Sequence, residues 1–265
     1  MTAAAPIADM VFYFSGTGNS YQAALAMCAE GEQPLDMAKC LREGVFRFEP
    51  GADEAVGFCL PVYYYGLPSV VADFLKKFLL LRRPAYTFAV LTCGGSAGGA
   101  PEMLSKALHA RGVKLDAAYT VVMPENYVML FNTPEAEERD RILAAASDRL
   151  DAIHAAVARR DKIGVHVTVR DRLTTAGMYP SYVHGRKTAK FFSDETCVGC
   201  GVCAGRCPVG AIRMVDGRPR WVKDRCVHCQ ACLRCNAVQY GKRTKGKLRY
   251  VNPFLKAAKT GAHHH

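Results

Sequence analysis

Eight cysteines between residues 197 and 235 are spaced as metal ligands. Cys197, Cys200, Cys203 and Cys207, followed by Pro208, read C-x2-C-x2-C-x3-C-P, and Cys226, Cys229, Cys232 and Cys235 read C-x2-C-x2-C-x2-C. In the first pattern three close thiolates wrap one face of a cubane [4Fe-4S] cluster and the fourth reaches across to a second cluster. Two such runs imply two clusters that exchange their fourth ligand. Cys197, Cys200, Cys203 and Cys235 then hold one, and Cys226, Cys229, Cys232 and Cys207 the other. Soft thiolate sulfur in short loops suits iron. Zinc knuckles would use two C-x2-C pairs per metal, and disulfides need an oxidising compartment and a geometry that cysteines three apart reach poorly. Backbone amides of Gly199, Gly201, Ala204 and Gly205 can approach cluster sulfurs, because little side-chain bulk intervenes. The second run departs from the first: Cys235 stands one residue nearer to Cys232, and Asn236 takes the place of the proline.

A second chemical feature lies near the N-terminus. The apolar run Ile7–Phe14 leads into Ser15-Gly16-Thr17-Gly18-Asn19-Ser20 and then a helical stretch, Tyr21–Ala29. Free backbone N–H groups, Ser and Thr hydroxyls and the positive end of a helix together make an anion site. The loop is neither G-x-G-x-x-G nor G-x-x-x-x-G-K-[ST], so dinucleotide and Walker-type readings fail. What remains is a phosphate monoester held without Lys or Arg.

These loops need a scaffold, and the apolar runs supply it. A strand at Glu54–Leu60 ends in Pro61-Val62-Tyr63-Tyr64-Tyr65-Gly66-Leu67-Pro68 before a helix at Ser69–Leu81. Another at Ala85–Leu91 ends in Thr92-Cys93-Gly94-Gly95-Ser96 before a helix at Pro101–His109. Shorter strands are expected near Gln33–Met37 and at Ala118–Met123, and the long helix Pro134–Ala158 closes the unit. Alternating strands and helices predict a doubly wound parallel α/β sheet, whose ligands bind beyond the carboxyl ends of the strands. Phosphate donors, three tyrosines and a glycine-rich backbone on one edge describe a site for FMN.

The combination FYFSGTGNS, PVYYYGLP, TCGGSAGG and PENY, followed by the cysteine runs, resembles iron–sulfur flavoproteins that fuse a flavodoxin-like domain to a bacterial-type ferredoxin domain. The resemblance covers nearly the whole chain. It implies a flavodoxin-like sheet of strand order 2-1-3-4-5 over residues 1–160, a connector at 161–192, and a small α+β bacterial ferredoxin-like domain with a basic tail at 193–260. It implies FMN and two [4Fe-4S] clusters as cofactors. Ser15, Gly16, Thr17, Gly18, Asn19 and Ser20 would hold the phosphate. Pro61, Val62, Tyr63, Tyr64 and Gly66, with Thr92, Cys93, Gly94 and Gly95, would surround the ring, and Asn126 and Tyr127 would close the pocket. A typical member reads C-x3-C-P in its second run, where this chain reads Cys232-Leu233-Arg234-Cys235-Asn236.

Charge is uneven. From Arg159 onward 22 Lys and Arg oppose 6 Asp and Glu, a net of +16; the preceding residues carry 13 and 18, a net of −5, which leaves the chain at +11. Part of that excess offsets the negative charge of thiolate-ligated clusters, and the rest offers a docking face to acidic redox partner proteins. Tyr240–Lys259 mixes tyrosine with cations but lacks a recognisable nucleic-acid module, so no nucleic acid is expected. No secretory signal is expected, no run approaches the ~20 apolar residues of a membrane span, and reduced cysteines fit the cytoplasm. Ala262-His263-His264-His265 read as a purification remnant and carry no functional reading.

Other residues take plainer readings. Asp216-Gly217 marks a hairpin turn between the cysteine runs. Cys28, Cys40 and Cys59 read as buried thiols, and His228 is expected to point outward. No nucleophile–base–orienter set and no nicotinamide fingerprint is found, so no catalytic residue is assigned. The chain reads as an intracellular carrier of low-potential electrons between proteins. The alternative is a flavin-dependent reductase of a small-molecule acceptor, fed by its own clusters.

Overall fold

The computed structural model describes Ala8, residues 10–29 and residues 31–255. Ile7 and Asp9 of the expected opening strand and the terminal residues 256–265 lie outside it.

In chain order the first half comprises β1 (Met10–Tyr13), α1 (Asn19–Met27), β2 (Leu35–Asp36), α2 (Met37–Glu43), β3 (Arg47–Phe48), β4 (Ala55–Pro61), α3 (Ser69–Lys77), β5 (Leu79–Leu80), β6 (Tyr86–Cys93), α4 (Ala100–His109), β7 (Ala117–Val122) and α5 (Ala136–Ala158). Five strands form a parallel sheet in the order β2-β1-β4-β6-β7. Side chains that alternate along a strand face opposite sides of the sheet, and β4 shows the result. Val56, Phe58 and Leu60 pack with α2, α3 and α4, while Ala55 and Cys59 pack with α1 and α5. The first layer is aromatic: Phe12 lies 5.5 Å from Phe58 and 5.2 Å from Phe78 between ring centroids.

Two local outcomes differ from expectation. The helix expected to run to Leu81 stops at Lys77, because Phe78 turns its side chain into the core and takes an extended backbone. Leu79–Leu80 then pairs with Arg47–Phe48 as a separate parallel ladder, so two extra strands enter the numbering. Around Gln33–Met37 only two residues are extended; Asp36 then caps α2, its carboxylate accepting from Ala38 N at 2.8 Å.

The second half comprises α6 (Val169–Gly185), β8 (Phe191–Ser193), the short helix α7 (Val202–Gly205), the hairpin β9 (Ile212–Val215) and β10 (Arg218–Trp221), and β11 (Val238–Tyr240), which pairs antiparallel with β8. Asp216 and Gly217 both have positive φ, as the hairpin turn requires. Within the stretch expected as a connector lies α6, started by a reciprocal capping box between Thr168 and Asp171. Its one buried residue is Tyr182, so periodicity carried little signal. No described helix is long and apolar enough to cross a membrane.

The two halves share a core. Val227, Cys229 and Ala231 of the second cysteine run belong to the same buried cluster as Phe12 and Phe58.

Candidate functional site

The loops after β1, β4, β6 and β7 converge on one cavity of about 280 Å³ at the carboxyl edge of the sheet. It is lined by Ser15, Gly16, Thr17, Asn19 and Ser20, by Pro61, Val62, Tyr63 and Tyr64, by Thr92, Cys93, Gly94 and Gly95, and by Asn126 and Tyr127. The structure thus gathers these expected cofactor residues, but not all of them. Gly66 does not line the cavity: a Cβ there would run into the Tyr179 ring, so its bareness serves α6. Gly18 also faces away, φ +109, where a Cβ would lie 2.7 Å from the Asn252 Cβ.

The anion loop is built from its own atoms. Gly18 N donates to Ser15 Oγ at 3.0 Å, and the Ser20 and Thr92 hydroxyls are 2.7 Å apart. Gly18 caps α1 with no side-chain hydrogen bond to the first-turn amides, which leaves them available to an anion. Asn126 Nδ2 donates to Thr17 Oγ1. Unexpectedly, the far end of the chain holds this loop. Asn252 N donates to Thr17 O at 2.8 Å, and its side-chain amide donates to Gln22 Oε1 at 2.7 Å; Tyr250 OH donates to Asn19 Oδ1 at 2.9 Å.

The wall opposite the loop comes from the cysteine half. His228 is 6 % exposed and lines the cavity, which corrects its expected outward direction. Its φ of 56° turns the side chain inward, where Nδ1 lies 3.3 Å from Tyr127 OH and Nε2 3.1 Å from Lys187 O. Tyr64 OH donates to Tyr127 OH at 3.4 Å, so a chain of polar contacts crosses from the sheet loops to the cysteine run. Burial pulls the His228 imidazole below its ordinary pKa and pushes Tyr127 above its own. Tyr64, Tyr65, His228 and Gln230 all have positive φ and all line this cavity. Backbone strain of this kind persists where surrounding structure enforces it, typically at functional sites. Gln230 also carries a buried side-chain oxygen without a partner. Sequence gave no sign of Gln230, Tyr250 or Asn252, because contacts across 230 residues leave no local pattern.

Helix α6 clamps the seam. Thr175 Oγ1 donates to Tyr65 O at 2.9 Å, Tyr179 OH to Leu67 O at 2.7 Å, and Tyr182 OH to Val227 O at 3.1 Å. Closest of all, a Cβ on Gly16 would overlap the carbonyl oxygen of Cys229, so the anion loop and the second cysteine run touch backbone to backbone.

None of the eight motif cysteines is paired in a disulfide. Cys207, Cys226, Cys229 and Cys232 line a second, smaller cavity. Burial pushes Cys226 to about 11 and Cys229 to about 12, with Cys207 adding to both rises. Cys203 is raised by burial, with Cys197 and Cys235 adding to it. Cys207 of the first run thus lies with Cys226, Cys229 and Cys232 around one cavity, while Cys200 is exposed. The shortened spacing has a local form. The first run accommodates a helical turn with Arg206 N donating to Val202 O, whereas in the second Cys235 N reaches back only to Cys232 O, a 3-10 turn.

Residues 191–213 match the family of 4Fe-4S binding domains (Fer4), a span holding the first run and not the second. The DNA-directed RNA polymerase subunit Rpo3 of Methanosarcina mazei is 35% identical over 54 residues, so the chain spans 20% of that relative's length and matches with 20% of its own. Among solved structures, the Trp repressor binding protein of Bacillus subtilis is 12% identical over 59% of this chain and 99% of its own, with a TM-score of 0.36. A flavodoxin of Streptococcus pneumonia TIGR4 is 14% identical over 54% and 97%, with a TM-score of 0.29. Scores of that size are too low to argue from.

The residues fit an iron–sulfur cluster on their own geometry. Among the described residues no three His, Cys, Asp or Glu side chains converge on a single-ion site; four thiols instead surround a cavity. Ala211 N donates to Cys207 Sγ at 3.2 Å and His228 N to Cys226 Sγ at 3.4 Å, as amides do around ligating sulfur. Arg186, Arg206, Arg234 and Arg249 each bury a guanidinium Nε with no partner. A buried donor without a partner is costly, and thiolate-ligated iron would bring negative charge to this half of the molecule.

Proposed function

We propose that this chain is an electron-transfer protein of the cell interior, carrying low-potential electrons between protein partners through FMN and two [4Fe-4S] clusters. The reading rests on one observation above others, the backbone contact between Gly16 of the anion loop and Cys229 of the second cysteine run. That contact supports the reading, in which a flavin site and a cluster site would lie on either side of a single peptide layer. Bound there, a flavin exchanges one or two electrons and each cubane one, which joins pair carriers to single-electron carriers.

The chain's own residues do the rest. Ser15, Thr17 and Ser20 and the first-turn amides of α1 receive a phosphate. Tyr63, Tyr64 and Gly94–Gly95 flank a flat ring, and the unpartnered oxygen of Gln230 offers an acceptor to it. Cys207 joins Cys226, Cys229 and Cys232 around the inner cluster, and Cys197, Cys200, Cys203 and Cys235 hold the outer one. The flavodoxin-like and ferredoxin-like halves form one relay. The surplus cations of the second half favour acidic partners.

Anaerobic reconstitution followed by iron, sulfide and flavin quantitation tests this directly. Eight irons and one FMN per chain are expected; a colourless protein holding zinc and no flavin would end the proposal. Thr17→Trp should expel flavin while iron stays near wild type, and equal flavin occupancy would place the phosphate elsewhere.

One feature favours the second reading, a reductase of a small-molecule acceptor. Leu130, Phe131 and Met178 line the same cavity and are exposed, Phe131 at 54 %. Steady-state reduction of a quinone or nitro compound that scales with flavin occupancy would select it.

A further inference from the structure

Of the eight motif cysteines Cys200 alone is exposed. Apolar side chains stand in solvent on both sides of it, Val198 at 86 % exposure and Val202 at 41 %. A lone exposed valine is ordinary. Two that flank the one exposed thiol of a ligand run, with a third nearby, make a patch.

The third is Val215, on the β9–β10 hairpin. A Cβ on Gly199 would lie 2.6 Å from Gly217 O, and one on Gly201 would lie 3.8 Å from Met214 Cγ, so the cysteine loop rests against the hairpin. One face of the hairpin holds Ile212, Met214, Pro219 and Trp221, all buried or half-buried. Strand alternation sends Arg213, Val215, Arg218 and Arg220 to the other face, and all four are exposed. Val215 and Arg218 flank the turn that touches Gly199, so this face adjoins the cysteine loop at its tip.

The register sets Arg213 directly opposite Arg220. Like charges facing one another across a strand pair destabilise it. No described carboxylate relieves them, because the described residues after Arg172 form no ion pair. Asp194, which accepts from the Cys197 amide through its backbone oxygen, gives its carboxylate to Thr196 and Gln239. Arg218 reaches only that same backbone oxygen, at 3.0 Å. From Cys197 to Lys223 five Lys and Arg oppose a single Asp, so the repulsion is left for something outside the chain to relieve.

We propose that this surface, with Val198, Cys200 and Val202 at its centre and Arg213, Arg218 and Arg220 at its rim, docks an acidic one-electron carrier protein. The inference rests on the reading of the cysteines as cluster ligands made above. An apolar centre with arginine around it is the composition of a protein interface, and carboxylates of a partner would sit between Arg213 and Arg220. The docked carrier and the cluster held by Cys200 exchange one electron, one being oxidised as the other is reduced. Two such encounters move the pair that a flavin holds. The rim cations act on encounter rate and its salt dependence; they touch no reacting atom.

Electron exchange between the reconstituted holoprotein and a small acidic two-iron ferredoxin tests it, followed by stopped flow in the direction that the measured midpoints make downhill. The wild-type rate should fall steeply as salt rises. The double variant Arg213→Gln/Arg220→Gln and the single variant Val198→Asp should each lose about tenfold at low salt, and the double variant should flatten the salt dependence. Lys162→Gln/Arg170→Gln removes the same charge from exposed positions outside this surface and should stay within about twofold of wild type. Reduction by photoreduced deazariboflavin, small and uncharged, should be equal in all four proteins. If Val198→Asp loads less iron, the arginine pair carries the same expectation. Equal losses in the Lys162/Arg170 variant would overturn the proposal, since net charge rather than this face would be at work. So would ferredoxin rates unmoved in the arginine pair, or a loaded wild type indifferent to salt. Single-stranded DNA bound through Arg213 and Arg220, with ferredoxin exchange unchanged by their loss, would assign the face to nucleic acid instead. A wild-type protein that loads no iron sinks the cluster reading itself; one that loads eight irons and fails these comparisons sinks only the docking face.

Discussion

The two halves of the molecule are stabilised by different physics. The sheet half buries a continuous aromatic layer in which Phe12 and Phe78 each lie within about 6 Å of Phe58, of Phe74 and of one another. Its charges sit on the surface in pairs such as Lys76–Asp73 and Lys106–Glu102. The cysteine half has a small core around Phe191, Ile212, Leu233 and Val238, and its cations bind carbonyl oxygens. Arg218 donates to Asp194 O, Arg225 to Val183 O, and Lys247 to Phe131 O. One region folds around hydrocarbon, and the other anchors its cations on carbonyl oxygens. Clusters held by its cysteines would add folding free energy to that half.

Iron removal should break the comparison most visibly. After chelation under reducing conditions, hydrogen exchange is expected to accelerate throughout residues 191–240 while β4 and β6 stay protected; uniform protection would mean the cysteine half stands without its clusters. Next in size, Phe74→Ala removes a fully buried ring and should cost about 3–5 kcal/mol in denaturant unfolding of the sheet half, with iron content unchanged. Gly16→Ala sharpens the role of the seam. Its methyl group collides with the Cys229 carbonyl, so a loss of about 1–3 kcal/mol is expected, together with lower flavin and iron occupancy in the same protein. Loss of one cofactor alone would show the sites to be independent.

The smallest effect belongs to the helix that bridges the halves. Thr168→Ala removes the cap of α6 and should cost about 1 kcal/mol. The Thr168 hydroxyl and amide hold the Asp171 carboxyl below its usual range. A depressed carboxylate stabilises the fold above its unfolded pKa, and that contribution disappears as pH falls through the folded value. The difference between wild type and variant should therefore shrink in acid, as read by thermal unfolding at several pH values.

Much of this was legible in the chain itself, for identifiable reasons. Parallel strands buried on both faces read as unbroken apolar runs, which exposed β4 and β6. Ligand spacing is local, so the cysteine runs were visible as written. The anion loop was legible because strand, small residues and helix follow one another within about a dozen positions. The wall of the cavity was not. His228 reads as a filler between ligands until its left-handed backbone turns it inward, and Asn252 sits in a basic tail with no motif. Helix α6 was hidden by its own surface: a helix burying one tyrosine has almost no apolar stripe. Gly66 misled because a bare glycine beside three tyrosines suits a ring, whereas its neighbour is Tyr179.

The tether from Asn252 to Thr17 and Gln22 bears on the order of events during synthesis. The anion loop is made well before its last support, which lies 233 positions beyond Asn19. The braced form of the loop is thereby deferred until Asn252 has been made. A fragment truncated before Tyr250 would retain every lining residue of the cavity and still leave its floor unbraced.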